Sequence, residues 1–224
     1  MVPSAPPFSP YDLRLLLQGF LTTFSLALIG GLTGFLVGFV AALLRLTRSR
    51  ALAPVRTALL VYCLVFRRVP FLVTLMLAFF TIQALNANLS TFAVAAISLC
   101  LIAAAYLCEI IRGGLASIHL TQWQAALALN FTFQQTLRHV IVPQAWRVIL
   151  PPTFGFLVMF IKDTALASQI GVMELTAAGR VLSSKGLSAP LVYGTILMLY
   201  FSLSFPLSRF GKRVERSLAA ARNH

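Results

Sequence analysis

From Gly19 to Leu44 the chain runs 26 residues without a charge. A helix of that length reaches about 39 Å, enough to cross the hydrocarbon core of a bilayer with some tilt. Such a segment has few alternatives, because backbone groups in hydrocarbon must bond within the segment and a helix does this. Composition agrees: 59% of the 224 residues are apolar, 10% are charged and the mean hydropathy is +0.89, which leaves too little polar surface for a soluble domain. The chain reads as an all-α integral membrane protein.

A net charge of +13 would suggest nucleic acid in a soluble protein. That reading needs a basic groove or an aromatic stacking platform on a solvated fold, and here the positive-inside effect accounts for the charge without a nucleic-acid partner. Arg45, Arg48, Arg50 and Arg56 follow the first run, which puts its C-terminal end in the cytoplasm and the Pro-rich N-terminus outside. No charged region precedes the run and no small-residue cleavage site ends it, so it is expected to be a retained span.

The remaining spans follow from the same criteria. Thr57 to Leu85 is interrupted by Arg67-Arg68-Val69-Pro70, giving a short interfacial helix and then a second span from about Val69 to Leu85, with both arginines anchoring the topology at the inner face. Asn86 to Ser90 forms an external turn. Thr91 to Ile111 is the third span, and Glu109 and Arg112 share a helical face on which they can pair. A fourth span covers about Val148 to Val172, broken at Pro151-Pro152, and a polar external connection runs from Leu175 to Ser188. The fifth span, about Ala189 to Leu207, precedes Arg209, Lys212, Arg213 and Arg216. With these five spans, 14 of the 18 lysines and arginines fall on the cytoplasmic side. Residues 1–16 are then an external segment, 17–213 the transmembrane domain and 214–224 a cytoplasmic tail.

Gly30, Gly34 and Gly38 recur every four residues in the first span and form a ridge for close helix packing, read as packing within the chain with a subunit interface as the alternative. Cys63, Cys100 and Cys108 lie in or beside apolar runs without metal or redox spacing and read as apolar filler. The one Gly-Lys pair, Gly211-Lys212, has Pro206 where a phosphate-binding loop needs its first glycine and Arg213 where it needs a hydroxyl. His119 and His139 lie in a polar loop, His224 ends the chain, and the five acids are not closely paired. No catalytic or metal-binding constellation is expected, and no cofactor on this chain.

The loop from about residue 112 to 145 carries the most information. Thr121 is placed to cap a helix beginning Gln122-Trp123-Gln124-Ala125-Ala126-Leu127, Asn130 can take the left-handed conformation that ends a helix, and Phe131 opens another. Val140 to Pro143 returns the chain to the membrane. Trp123 and Trp146 near the inner face read as interfacial aromatics.

Gln124-Ala125-Ala126, three residues, Asn130, nine residues and Val140-Ile141-Val142-Pro143 resemble the cytoplasmic signature Glu-Ala-Ala, Gly, Ile-x-Leu-Pro of the permeases of type I ATP-binding-cassette importers. Arg112-Gly113-Gly114, Gln122-Trp123, Pro143-Gln144-Ala145, Lys162-Asp163-Thr164 and Glu174-Leu175-Thr176 are similar to the polar amino-acid subgroup. The resemblance covers about Leu17 to Arg213. It implies the type I importer permease fold in the bacterial cytoplasmic membrane, with Gln124, Ala125, Ala126, Asn130 and Pro143 in a loop that couples to a separate cassette ATPase dimer, where ATP is used. It also implies a second permease subunit, an external solute-binding protein and an amino-acid substrate. Gln124 and Asn130 depart from the pattern by losing a charge and a glycine.

Two adjacent charges inside a span, Lys162 and Asp163, require a polar cavity or partners. With Thr164 they are candidates for the substrate pathway, the alternative being a structural ion-pair network. A different class of function, a non-catalytic scaffold or small channel subunit with a partner-binding loop, fits the composition as well.

Overall fold

The computed structural model describes residues 9–47 and 49–220, so Arg48, Arg222 and His224 lie outside the described residues. Every regular element among the described residues is helical: α1 (Pro10–Leu46), α2 (Ala53–Arg68), α3 (Phe71–Ala84), α4 (Thr91–Ala116), α5 (Leu120–Ala128), α6 (Phe133–Thr136), α7 (Val142–Asp163), α8 (Leu175–Ser184) and α9 (Ala189–Ala220). Four stretches, in α1, α4, Phe133–Ile170 and α9, are long and apolar enough to cross a membrane, and the bent pair α2 and α3 brings the number to five.

α1 begins well before the uncharged run, so residues 10–16, expected in an external segment, belong to the helix. The cause is local. The Ser9 hydroxyl accepts from the Asp12 amide at 3.3 Å, the Ser9 amide donates to the Asp12 carboxylate at 3.0 Å, and Pro10 supplies a helical φ at a position whose N–H has no helical partner. Asp12 is buried and receives Lys185 Nζ at 2.9 Å, which ties the start of α1 to the end of α8.

The glycine ridge packs inside the chain as expected. A Cβ on Gly34 would collide with Ala103 of α4, one on Gly38 would lie 2.8 Å from the Cys108 amide, and one on Gly30 2.8 Å from the Phe160 ring. α1 and α4 therefore meet backbone to backbone, around a core of Leu26, Leu99, Ala103, Leu107 and Ile111. Cys63 and Cys108 sit in that same buried core.

α2 and α3 meet at Val69-Pro70 with a bend of 111°. Pro70 cannot donate into a continuing ladder, and the residue before it is driven to extended backbone, here Val69 at ψ 134°. α2 begins at Ala53, four residues before the expected Thr57. α3 then turns into the membrane, and Asn86 at φ 50° makes the expected turn before Ser90 caps α4.

The fourth span differs from expectation in two ways. It is not broken at Pro151-Pro152, because α7 runs through both. It is packed from outside, with Ile149 so close to Gly114 of α4 that a Cβ there would clash, and within the helix the Thr153 hydroxyl donates to the Ile149 carbonyl at 2.8 Å. The α-helix ends at Asp163, and a 3₁₀ segment, Thr164–Ile170, leads to Gly171 at φ 87°. The expected polar connection from Leu175 to Ser188 is mostly α8, an amphipathic helix whose Leu175, Ala178 and Leu182 bury against Leu15 and Leu16 of α1. α9 continues to Ala220, through most of the expected tail.

Candidate functional site

The loop between α4 and α7 is built from short-range capping. His119, not Thr121, caps α5, with its Nδ1 accepting from the Thr121 amide at 3.3 Å, while Thr121 lies inside the first turn. At the other end Asn130 takes φ 57°. Its amide donates to the Leu127 carbonyl at 2.9 Å and that of Phe131 to the Ala126 carbonyl at 3.0 Å, the paired bonds of a left-handed helix stop. Asn130 thus does here what glycine does most cheaply. Thr132 and Gln135 then close a capping box that starts α6 at Phe133, two residues after the expected Phe131.

Leu137–Ile141 is a single wide π turn, and α7 follows with Pro143 in its first turn, where a missing amide costs nothing. Trp123 stacks on Phe133 at 6.2 Å, and Gln144 Nε2 donates to Gln122 Oε1 at 3.1 Å, so α5 is held against the start of α7. Trp146 stacks on Phe35 and Phe39 of α1.

The faces of α5 are unequal. Ala126 is 2% exposed and packs inward. Gln124 and Ala125 are exposed, as is Asn130, and three leucines around them stand open: Leu120 at 61%, Leu127 at 66% and Leu129 at 68%. Leu120 and Leu127, seven residues apart, share one face of α5 and form an apolar surface of the kind that marks a protein contact, with Leu129 exposed at the helix end.

Directly above this loop lies an ion cluster of which the sequence reveals one pair. Glu109 bonds Arg112 as expected, and it also receives Arg45 Nη1 of α1 at 2.8 Å and has Arg67 Nη1 of α2 at 3.9 Å. The Arg45 side chain is largely buried, and Arg67 lies over the Tyr106 ring. One carboxylate therefore joins α1, α2 and α4 at the end of the bundle from which α5 projects. Arg67 is thus part of a network as well as an interfacial cation.

Lys162 and Asp163 sit at the opposite end of α7, and neither is in an ion pair among the described residues. Lys162 is exposed and lines a hollow of about 360 Å³ with Val158, Tyr200, Ser204 and Ser208 of the α7 and α9 faces. Asp163 is half-buried; Thr164 is fully buried and its hydroxyl donates to the Ile161 carbonyl at 2.7 Å.

Sequence reasoning missed Glu174 as a working residue. It is fully buried and caps α8, accepting from the amides of Thr176 at 2.9 Å and Ala177 at 2.8 Å and from the Tyr200 hydroxyl at 2.8 Å. Burial raises its carboxyl above the ordinary range, against the pull of those three donors. The signal was present, since an acid directly before an amphipathic run is an N-terminal helix mark. Its contact with Tyr200, 26 residues away, was not.

The arrangement is a membrane bundle with a capped, apolar-faced helix at its basic end and, near the other, Lys162 and Asp163 in no ion pair among the described residues. The chain is similar to the L-cystine transport system permease protein TcyB of Bacillus subtilis, 35% identical, with 93% of this chain and 91% of the relative covered. It is 32% identical to the glutamine transport system permease protein GlnP of Escherichia coli, over 91% of this chain and 93% of that one. Among solved structures it resembles an amino acid ABC transporter crystallised with histidines, at a TM-score of 0.82 and 28% identity over 92% of this chain and 94% of that one. The fold is also that of the MetNI methionine ABC transporter in an inward-facing form, TM-score 0.80 at 24% identity, over 94% of this chain and 99% of that one. Residues 34–219 match the family described as the inner membrane component of binding-protein-dependent transport systems, and the chain belongs to that family.

Proposed function

We propose that this chain is the membrane permease subunit of an importer for polar amino acids, with α5 docking on a separate cassette ATPase. The observation that carries the reading is α5 itself, held by caps at both ends while Leu120, Leu127 and Leu129 stand exposed around Gln124 and Ala125. Asn130 fixes the stop of that helix and Pro143 lies in the first turn of α7, so they set the shape of the loop, and Ala126 packs it from within. ATP is bound and hydrolysed by the partner, an ATPase dimer. A second permease chain, the same or homologous, completes the pathway, and an external solute-binding protein delivers the amino acid. The relatives that transport glutamine and cystine support that substrate class. The basic ends of α1 and α9 support a cytoplasmic C-terminus and an external N-terminus in the cytoplasmic membrane, with 17–213 as the transport domain, 1–16 outside and 214–224 as the tail.

Lys162, Asp163 and Thr164 form the pathway segment in this reading. Among the described residues Lys162 and Asp163 are in no ion pair, and an amino acid brings a carboxylate and an ammonium that match them. Thr164 contributes by fixing the backbone turn at the end of α7. With the permease, ATPase and binding protein in vesicles, Asp163→Asn should lower labelled amino-acid uptake by roughly tenfold, the loss of one charge-assisted contact, while assembly with the ATPase is kept. Unchanged uptake across a panel of amino acids would remove Asp163 from the pathway, and lost assembly would make it structural.

A further inference from the structure

α9 presents two stripes. Tyr200, Ser204 and Ser208 face the hollow beside Lys162, whereas Leu203, Leu207 and Phe210 close a second groove of about 470 Å³ against α1 and α7. Every residue lining this second groove is apolar, and its α1 wall, with Leu28 and Leu32 exposed at 47% and 58%, is open to the surroundings of the bundle. The wall from Phe24 to Phe35 extends about 16 Å at the helical rise, which is about half of the roughly 30 Å hydrocarbon core. The groove therefore has the depth of one leaflet.

Its chemistry changes at one end. Beyond Phe210 the helix carries Lys212, Arg213 and Arg216 with one acid, Glu215, all exposed, and none is in an ion pair among the described residues. Arg213 follows Phe210 by three residues and so continues the groove-lining stripe. An apolar trough that ends in a cation, Arg213, on the same stripe is complementary to a molecule with an acyl chain and an anionic head. A second copy of this chain is a poorer match, because the trough offers no polar group to fix a protein partner's register. We propose that the groove between α1, α7 and α9 binds one acyl chain of an anionic phospholipid from the cytoplasmic leaflet, with its phosphate at Arg213. Basic residues at the inner ends of transmembrane helices recognise such headgroups by charge. The site rests on the chain's place in the membrane and is independent of which amino acid is carried.

The test is native mass analysis of the intact transporter in mild detergent, titrated with dioleoylphosphatidylglycerol or dioleoylphosphatidylcholine. The native complex should retain one phosphatidylglycerol per permease chain in preference to phosphatidylcholine. Arg213→Gln should reduce that preference about fivefold and leave binding of the neutral lipid, whereas Lys212→Gln, on the far side of α9, should change it less. Ala27→Phe, which fills the trough, should lower retention of both lipids, and Leu32→Trp at an exposed lining position gives the same readout if Ala27→Phe does not fold. Equal retention of the two lipids by the native complex would overturn the proposal, as would an undiminished preference in Arg213→Gln. A change in permease-to-permease association on filling the trough, with lipid retention intact, would assign the groove to a protein contact and overturn it too.

Discussion

Replacing Gly34 with leucine should leave almost no folded protein. A Cβ at this position already collides with Ala103, and the Ala103 carbonyl carbon and Ala104 amide lie 3.1 Å from it, so the clash is with backbone that cannot rotate away. Relief requires parting α1 and α4, which would also separate Gly30 from Leu99 and Gly38 from Cys108. Overpacking costs about 1–3 kcal/mol where side chains can adjust. Here we expect at least the upper end, a fall of on the order of a hundredfold in the folded fraction. Even Gly34→Ala should lower the melting temperature of the detergent-purified protein. Gly113→Ala supplies the contrast, since nothing lies within 4 Å of a Cβ there, and the change should be neutral or slightly stabilising. Equal melting temperatures for Gly34→Ala and Gly113→Ala would show that the ridge does not set the α1 to α4 spacing.

That ridge was readable from the sequence because a four-residue repeat is a local pattern. So were the Val69-Pro70 bend, the Asn86 turn and the stop at Asn130, each decided by the backbone preferences of one or two residues. The start of α1 and the whole of α8 were written locally too, in Ser9-Pro10-Tyr11-Asp12 and in Glu174 before an amphipathic run, but hydropathy alone passes over both. The helicity of α7 through Pro151-Pro152 was not readable, because it is set by packing on Gly114, more than thirty residues away. The same holds for the Asp12 to Lys185 bond and for Arg45 on Glu109, where sequence separation hides the partner.

Leu127→Asp should abolish coupling while leaving the permease folded. Leu127 is 66% exposed, so the change removes little of the chain's own packing. In a docked complex it would bury an unpaired carboxylate, which costs several kcal/mol, and affinity for the ATPase should fall at least about 30-fold, the hot-spot range. Uptake and substrate-stimulated ATP hydrolysis should disappear together, with the melting temperature of the isolated permease unchanged. Retention of both activities would remove α5 from the interface. Ala126→Asp is a poorer probe, because Ala126 faces inward and its loss would disrupt the loop itself.

Of the candidate docking residues, the motif located Gln124, Ala125, Ala126, Asn130 and Pro143 on one loop, but spacing could not separate outward from inward members. Exposure does so, and it adds Leu120, Leu127 and Leu129. At the other site the sequence singled out Lys162 and Asp163 from the cost of charge in a span, whereas Tyr200, Ser204 and Ser208 join Lys162 only through the packing of α9 on α7.

The most direct measurement is the labelling of an Ala125→Cys chain by a membrane-impermeant maleimide. Cys63 and Cys108 are buried and Cys100 lies within the apolar α4, so the parent chain serves as the blank. The account predicts rapid labelling in inside-out vesicles stripped of the ATPase, protection when the ATPase is restored, and no labelling in right-side-out vesicles. Equal labelling with and without the ATPase, or labelling from the external side, would contradict it.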